Sequence, residues 1–251
     1  MTTPTPSARA NTVDADEVQH ALRVVVFAMA TLAEQRESDT ESHILRVQGY
    51  VRSLARHLSS HPAYQAFLTP ATIDTLCHSA ALYDMGSVGI PDRILLKPGP
   101  LTPDETNIMR THTTLGYKAL LRAEKTMGRP SKLLDIAKEL ILSHQERWDG
   151  AGYPQRLAGT QIPASARIMA LADVYDALIS NKVYKDGVSH TEAVQVILSE
   201  RGAHFDPDVV DAFLVVETEF HAIAERFADS TQDMQHKMEY MAYAIAENAE
   251  I

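Results

Sequence analysis

The sequence predicts an all-α protein. Apolar residues recur at three- and four-residue spacings through most of the chain, several of those segments open on helix-capping residues, and no stretch alternates apolar and polar for more than a few residues. Residues 1–14, rich in Pro, Thr and Ser, are expected to be a disordered N-terminus. Residues 15–37 read as an N-terminal helix with Val18, Leu22, Val25, Met29 and Leu32 along one face. "RESDTES" interrupts it, and Ile44, Val47, Val51, Leu54 and Leu58 mark a second helix. Residues 59–70 read as a connection and 71–84 as a third helix closing at Asp84 and Gly86. "SVGIPDRILLKPGPLTP" is rich in proline and glycine and reads as a long ordered loop. Thr102, Pro103 and Glu105 then supply an N-cap, a proline at the first helical position and a capping-box glutamate. In "IMRTHTTLG" His112 falls one turn after Ile108. A helix starting near Lys132 carries Ala137 and Ile141 on a face that reaches His144. Residues 165–180 are helical, Ser189 and Glu192 form a second capping box, and Asp206-Pro207 opens a further helix. Residues 230–249 form a last helix with Met234, Met238, Met241 and Ile245. The apolar stripes of the two terminal helices are expected to be core packing, with an accessory or dimerising role as the alternative.

The chain has 251 residues and is 45% hydrophobic, enough for a substantial core. No flexible linker divides the helices, so one domain is expected rather than two. Acids outnumber bases 33 to 23, a net charge of −10, which argues against a nucleic-acid polymer as partner. A small anion is compatible with that balance if a few cations converge. The single cysteine, Cys77, excludes an intramolecular disulfide and a Cys-rich metal site. No apolar run is long enough to span a bilayer and the N-terminus does not read as a secretory signal, so the expected location is the cytoplasm.

Polar residues stand where several helices should be apolar. Asp39 and His43 are one helical turn apart; Asp84 ends an apolar helix; His112, His144 and Asp173 lie on or beside apolar faces. Each has an ordinary reading alone: a helix cap for Asp39, a helix terminus for Asp84, a satisfied histidine for the others. Together they are three Asp and three His expected to face inward, and such clusters are commonly paired or bound to metal. Oxygen and imidazole donors without thiolate suit Fe, Mn, Zn or Mg. Close by, the polar "SHQE" at 143–146 precedes the tight turn "WDGAGYP" at 148–154.

"DGAGYP" at 149–154, "GIPDRILLKPGPLTP" at 89–103, "MRTHTTLG" at 109–116, "ALADVYDALISNKVYK" at 170–185 and "HFDPDVVDAF" at 204–213 together resemble the HD-GYP family. These are helical metal-dependent phosphodiesterases that open cyclic di-GMP. The likeness covers about residues 38–228, leaving the helix at 15–37 and a C-terminal helix at 229–251 as additions. The most similar members are output domains of response regulators, and no receiver domain is expected in front of this chain. The resemblance implies an HD-domain-like helical bundle with a GYP loop, binding a divalent metal, Fe or Mn with Mg as a further option. It implies metal ligands at Asp39, His43, Asp84, His112, His144 and Asp173, with Asp84 the central catalytic ligand. It places Tyr153 in the substrate pocket and Lys182 and Lys185 against the nucleotide phosphates; Arg147 and Arg156 are further candidate cations.

Three positions depart from the family pattern. Tyr83-Asp84 stands for His-Asp, Gln145 replaces the second histidine of His-His-Glu, and Ser87 replaces a lysine. A phenol has an ordinary pKa of about 10 and an amide carbonyl is a weak neutral ligand, so both changes weaken a metal site. The expectation is a degenerate HD-GYP domain, catalytically impaired, that acts by binding cyclic di-GMP or a signalling protein such as a GGDEF-domain cyclase, with a homodimer as a further expected partner. The alternatives are an active phosphodiesterase with an altered metal site, and an interaction module with a vestigial pocket.

Overall fold

The computed structural model describes residues 14–37, 40–181, 186–235, 238–240 and 242. Residues 1–13, Asp39, Lys182, Lys185, Met241 and Ile245 lie outside the described residues. Among the described residues the α-helices run in order: α1 Ala15–Glu37, α2 Glu41–Leu58, α3 Pro70–Ala80, α4 Asp92–Leu95, α5 Pro103–Met109, α6 His112–Met127, α7 Lys132–Ser143, α8 Ala164–Ile179, α9 His190–Ser199 and α10 Pro207–Arg226. Short 3₁₀ turns occupy Met85–Gly89 and Gly159–Gln161. Residues 231–235 and 238–240 are also helical. Among the described residues there is no strand, only an isolated bridge between Arg201 and Phe205. No described helix is long and apolar enough to cross a membrane.

The core lies where α2, α8 and α10 meet. Val47, Val51 and Leu54 of α2 pack with Ile168, Met169 and Leu171 of α8 and Val209, Val210 and Val216 of α10, all buried. Tyr50 stacks on Phe220 at 4.5 Å between ring centroids and meets Tyr175 edge-on at 5.2 Å. Such ring pairs add about 0.5–1.5 kcal/mol each beyond the area they bury. The same α2–α8 packing sets His43 and Arg46 against Asp176.

The helix starts follow local chemistry. Thr102 Oγ1 accepts the Glu105 amide at 3.3 Å while the Glu105 carboxylate accepts the Thr102 amide at 2.7 Å, and Ser189 and Glu192 repeat this exchange.

Four features differ from the sequence reading. First, α3 stops at Ala80, so Asp84 sits in a turn rather than at a helix end. The turn continues into Met85–Gly89, which presses on α6: a Cβ on Gly86 would lie 1.9 Å from the His112 carbonyl oxygen. Second, the chain breaks at Arg110–Thr111 between α5 and α6. The Thr111 and Thr113 hydroxyls donate to the Ile108 and Arg110 carbonyls, competing with helix continuation. Ile108 is therefore exposed and His112 buried, and the two do not share a face. Third, the proline-rich loop contains the short helix α4. Fourth, the stripe on α1 is in solvent. That helix packs instead through Ala30, with Val26 and Phe27 alongside, against Ile44 and Ala81. Met238, on the C-terminal stripe, is exposed as well.

Candidate metal centre

Asp84 from the turn after α3, His112 at the first position of α6 and His144 at the end of α7 converge. Their ligand atoms all lie within 4.8 Å of one another. Asp84 Oδ1 is 3.3 Å from His112 Nε2 and 4.0 Å from His144 Nε2, and the two Nε2 atoms are 3.4 Å apart. Glycines set this spacing, because Gly86 and Gly116 let the Asp84 turn touch α6, while a Cβ on Gly116 would lie 2.7 Å from Ile141 of α7.

The tautomers are fixed from behind. His112 Nδ1 donates to the Met109 carbonyl at 2.7 Å, and His144 Nδ1 to the Leu140 and Ile141 carbonyls at 3.0 and 3.2 Å. Both Nε2 atoms therefore present lone pairs to the centre. Burial, and after it the neighbouring His112, push His144 down to about 3; burial lowers His112 too. Two neutral imidazoles whose lone pairs face each other at 3.4 Å repel unless a cation lies between them. Ligands about 2.1 Å from a tetrahedral ion stand roughly 3.4 Å apart, so the donor set fits a divalent metal. One carboxylate and two imidazoles, without sulfur, suit Fe, Mn or Zn.

The neighbouring half of the site is arranged differently. Tyr83, 5% exposed, donates its phenol to Asp173 Oδ1 at 2.8 Å, and its oxygen lies 3.1 Å from His43 Nε2. Its ring meets His144 edge-on at 5.1 Å. Tyr83 thus bridges two of the expected ligands with its own hydroxyl. Asp173 is partly rather than fully buried. His43 is further tied by Nδ1 to Asp176 at 2.7 Å, and Arg46 holds both Asp176 oxygens at 2.6 and 2.9 Å. Burial alone would raise the Asp176 carboxyl; the hydrogen bonds from His43 and Arg46 outweigh it and hold the group well below the usual carboxylate range.

The GYP loop closes over the triad. Glu146 is buried, and its carboxylate accepts the Gln155 and Leu157 amides at 2.7 and 3.0 Å. The last residue of "SHQE" is therefore the anchor of the turn that follows it. Gly152 lies flat on the preceding backbone, where a Cβ would come within 2.3 Å of the Arg147 nitrogen. The Tyr153 amide donates to the Gln145 carbonyl at 3.2 Å, and the Tyr153–Pro154 bond is cis. The Tyr153 ring faces His112 edge-on at 6.1 Å and carries the exposed Arg110 guanidinium 5.1 Å from its centroid. Burial, then Asp84, raise the Tyr153 phenol above its ordinary value, so it stays a proton donor. Arg147 is committed to Asp149 and Glu200 at 3.3 and 3.0 Å and is not the free cation expected of it. Ser87 is buried, and its hydroxyl has no hydrogen-bond partner among the described residues.

The structure thus gathers Asp84, His112 and His144 in one group and His43, Tyr83 and Asp173 in another, with Tyr153 at the mouth. Sequence reasoning missed Arg110, Glu146 and the Arg46–Asp176 pair. The last was readable: Arg46 follows His43 by three and Asp176 follows Asp173 by three, one helical turn each.

A helical bundle with a carboxylate–histidine triad at its centre is the architecture of a metal-dependent HD-type domain. The HD domain family model matches residues 28–209, and the chain belongs to that family, in its HD-GYP branch. It is similar to a protein of Vibrio cholerae serotype O1 named "Probable cyclic di-GMP phosphodiesterase", 53% identical over 219 residues, covering 87% of this chain and 49% of that protein. A second Vibrio cholerae protein, named a cyclic di-GMP phosphodiesterase, is 51% identical over 215 residues, covering 86% and 44%. The chain spans about half the length of these curated relatives. Among solved structures, a cyclic GMP-AMP specific phosphodiesterase of V. cholerae superposes with a TM-score of 0.55 at 19% identity, covering 90% of this chain and 58% of that one, a likeness of fold.

Proposed function

We propose that this chain is a degenerate HD-GYP domain in cyclic di-GMP signalling, which holds one divalent metal at Asp84, His112 and His144 and binds the cyclic dinucleotide while hydrolysing it poorly. The observation that carries this reading is Tyr83, whose hydroxyl ties His43 to Asp173 where a second ion would need both. Asp39, by the family pattern, belongs to that same blocked half. Fe or Mn is the proposed metal, with Mg the weaker fit to two imidazoles.

When bound, the metal supplies a Lewis acid and lowers the pKa of a coordinated water. The chain's own residues hold and orient the ligand. Tyr153 offers a protonated phenol and a ring face at the mouth; Arg110 beside it offers a guanidinium suited to a phosphate. In a protein of charge −10, a dianionic ligand needs such local cations, and Lys182 and Lys185 are proposed to add to them by their match to the family. GGDEF-domain proteins are the proposed class of protein partner.

A second reading is an active phosphodiesterase with an altered metal site. The intact triad favours it, as do the names of the two Vibrio relatives. The test is calorimetric titration with cyclic di-GMP alongside product chromatography, on protein loaded separately with Fe²⁺, Mn²⁺ and Mg²⁺. Binding with turnover well under about 1 per second is expected. Turnover at or above that rate, lost in Asp84→Ala, would establish the second reading. Neither binding nor turnover would leave only an interaction module.

A further inference from the structure

Helix α1 leaves an apolar seam in solvent. Val18, Leu22, Val25, Met29 and Leu32 are 45%, 53%, 54%, 51% and 65% exposed. Their spacings of four, three, four and three residues are the rhythm by which one helix pairs with another. The face that docks α1 on its own protein is a different one, centred on Ala30, and the seam lies roughly a third of a turn around from it. Two seam residues also border grooves on the protein's own surface: Leu22 lines one of about 450 Å³ between α1, α3 and α7, and Leu32 lines another beside α2 and α3. The seam is therefore open while α1 stays docked.

We infer that this seam is the interface through which two copies of the chain pair about a two-fold axis. Three features select a second copy as the occupant. The open flanks of the seam, Gln19, Ala21, Ala28 and Gln35, are uncharged, Val26 and Ala33 on the other flank turn to the body, and Arg36 at its end is already paired with Asp92, so a like seam meets it without repulsion. The exposed polar residues in the first half of α1 are Asp16, Glu17, His20 and Arg23, with no lysine, the reverse of the basic face that holds a helix on an anionic membrane. The area also fits. Five side chains about half exposed present on the order of 300 Å² of apolar surface, the size of the largest bare patch on a typical monomer, which is often a functional one. Two copies bury roughly 600 Å² of it, and at the ~60% apolar share of such interfaces the total is near 1,000 Å², the lower bound for a specific dimer.

The seam is also fastened to the metal centre. Arg36, the next step of the same rhythm, donates to the Ser87 carbonyl at 3.4 Å and the Ile90 carbonyl at 3.1 Å, and it contacts the Val88 carbonyl and the Asp92 carboxylate. These groups close the turn that begins at Asp84, so pairing along α1 bears on the segment that presents the central ligand.

Two neighbouring cysteine variants test this. Val24 and Val25 are 53% and 54% exposed, but only Val25 lies on the seam. It is the middle residue, so it meets its own mate whether the helices run parallel or antiparallel. The one native cysteine, Cys77, is buried and does not compete. Under mild oxidation Val25→Cys should become mainly a covalent dimer and Val24→Cys should not. In sedimentation velocity the unmodified chain should shift from monomer to dimer between about 1 and 100 μM, as a small interface requires, and Leu22→Glu with Met29→Glu should weaken pairing at least about tenfold. Both replaced side chains are exposed, so helix content by circular dichroism should hold. Equal cross-linking of the two cysteine variants, or a monomer at every concentration, overturns the inference, the latter pointing to the chain's own terminal segments or another partner.

Discussion

Replacing Tyr83 by histidine would restore the ligand type that the family pattern places there, and the structure allows the consequence to be worked out. The Tyr83 phenol makes contacts of 2.8 Å to Asp173 and 3.1 Å to His43 and is almost fully buried. A net hydrogen bond contributes about 1 kcal/mol, more where one partner is charged, and the smaller imidazole leaves part of the ring's volume unfilled. Without metal, Tyr83→His should therefore cost about 2–3 kcal/mol, or roughly 4–12 °C in Tm for a domain of this size. Metal should reverse that loss. An ion bound only to the folded state contributes about 2.7 kcal/mol at 100 times its Kd. The assay is a thermal melt with and without Mn²⁺, paired with metal analysis of the dialysed protein. Tyr83→His should gain a second equivalent of metal and recover its Tm, whereas the parent holds one. Cyclic di-GMP turnover should rise at least about 10–100-fold, the scale seen when a metal site's surroundings are repaired, and further in Tyr83→His with Gln145→His. A parent that already carries two metals, or a variant that gains neither metal nor Tm, would refute the idea that Tyr83 closes the second site.

Three other outcomes follow from the geometry. Asp176→Asn leaves the buried Arg46 guanidinium without its main counter-charge and should cost about 3–5 kcal/mol, against under about 1 for Asp74→Asn in the exposed Arg52 pair; urea melts of both variants decide it. Glu146→Ala removes the acceptor of the Gln155 and Leu157 amides, and hydrogen exchange should speed at those two positions while the α8 core stays protected. Burial, then the Arg147 cation, push His204 down to about 4, whereas an unfolded histidine titrates near 6.5. The unfolded chain thus binds more protons between those values, and stability is lost as pH falls from about 6.5 to 4, at up to about 1.4 kcal/mol per pH unit for this residue. His204→Gln should flatten the stability curve in that window by this amount, and identical slopes would contradict the assignment.

How much of this was legible in the sequence depended on whether the deciding interaction was local. The caps at Thr102–Glu105 and Ser189–Glu192 were, because a capping box is an exchange between residues three apart. The break at Arg110–Thr111 was not, because the periodicity of "IMRTHTTLG" runs through it and the competing bonds come from threonine hydroxyls that also fit a helix. The stripe on α1 was legible as apolar but not as exposed. Period alone says that a face wants covering, not which chain covers it, and here small residues at Ala30 and Ala33 dock the helix instead. The site divides in the same way. That His144 should be a ligand could be proposed from its place on the face of Ala137 and Ile141, whereas the face read for His112 with Ile108 is not there; the resemblance named both, and named Tyr83 as a departure. Neither could say what Tyr83 does, because its effect depends on reaching His43 on α2 and Asp173 on α8 at once, 40 and 90 residues away. A missing ligand and a bridging hydroxyl are different defects. The first leaves a vacancy that excess metal can fill. The second puts a protein hydrogen bond in the ion's place, and excess metal must first break it. Titrating the parent with Mn²⁺ to millimolar levels therefore separates the two: a second equivalent that appears at high metal would mean an empty, weakened site, and saturation at one would mean a closed one.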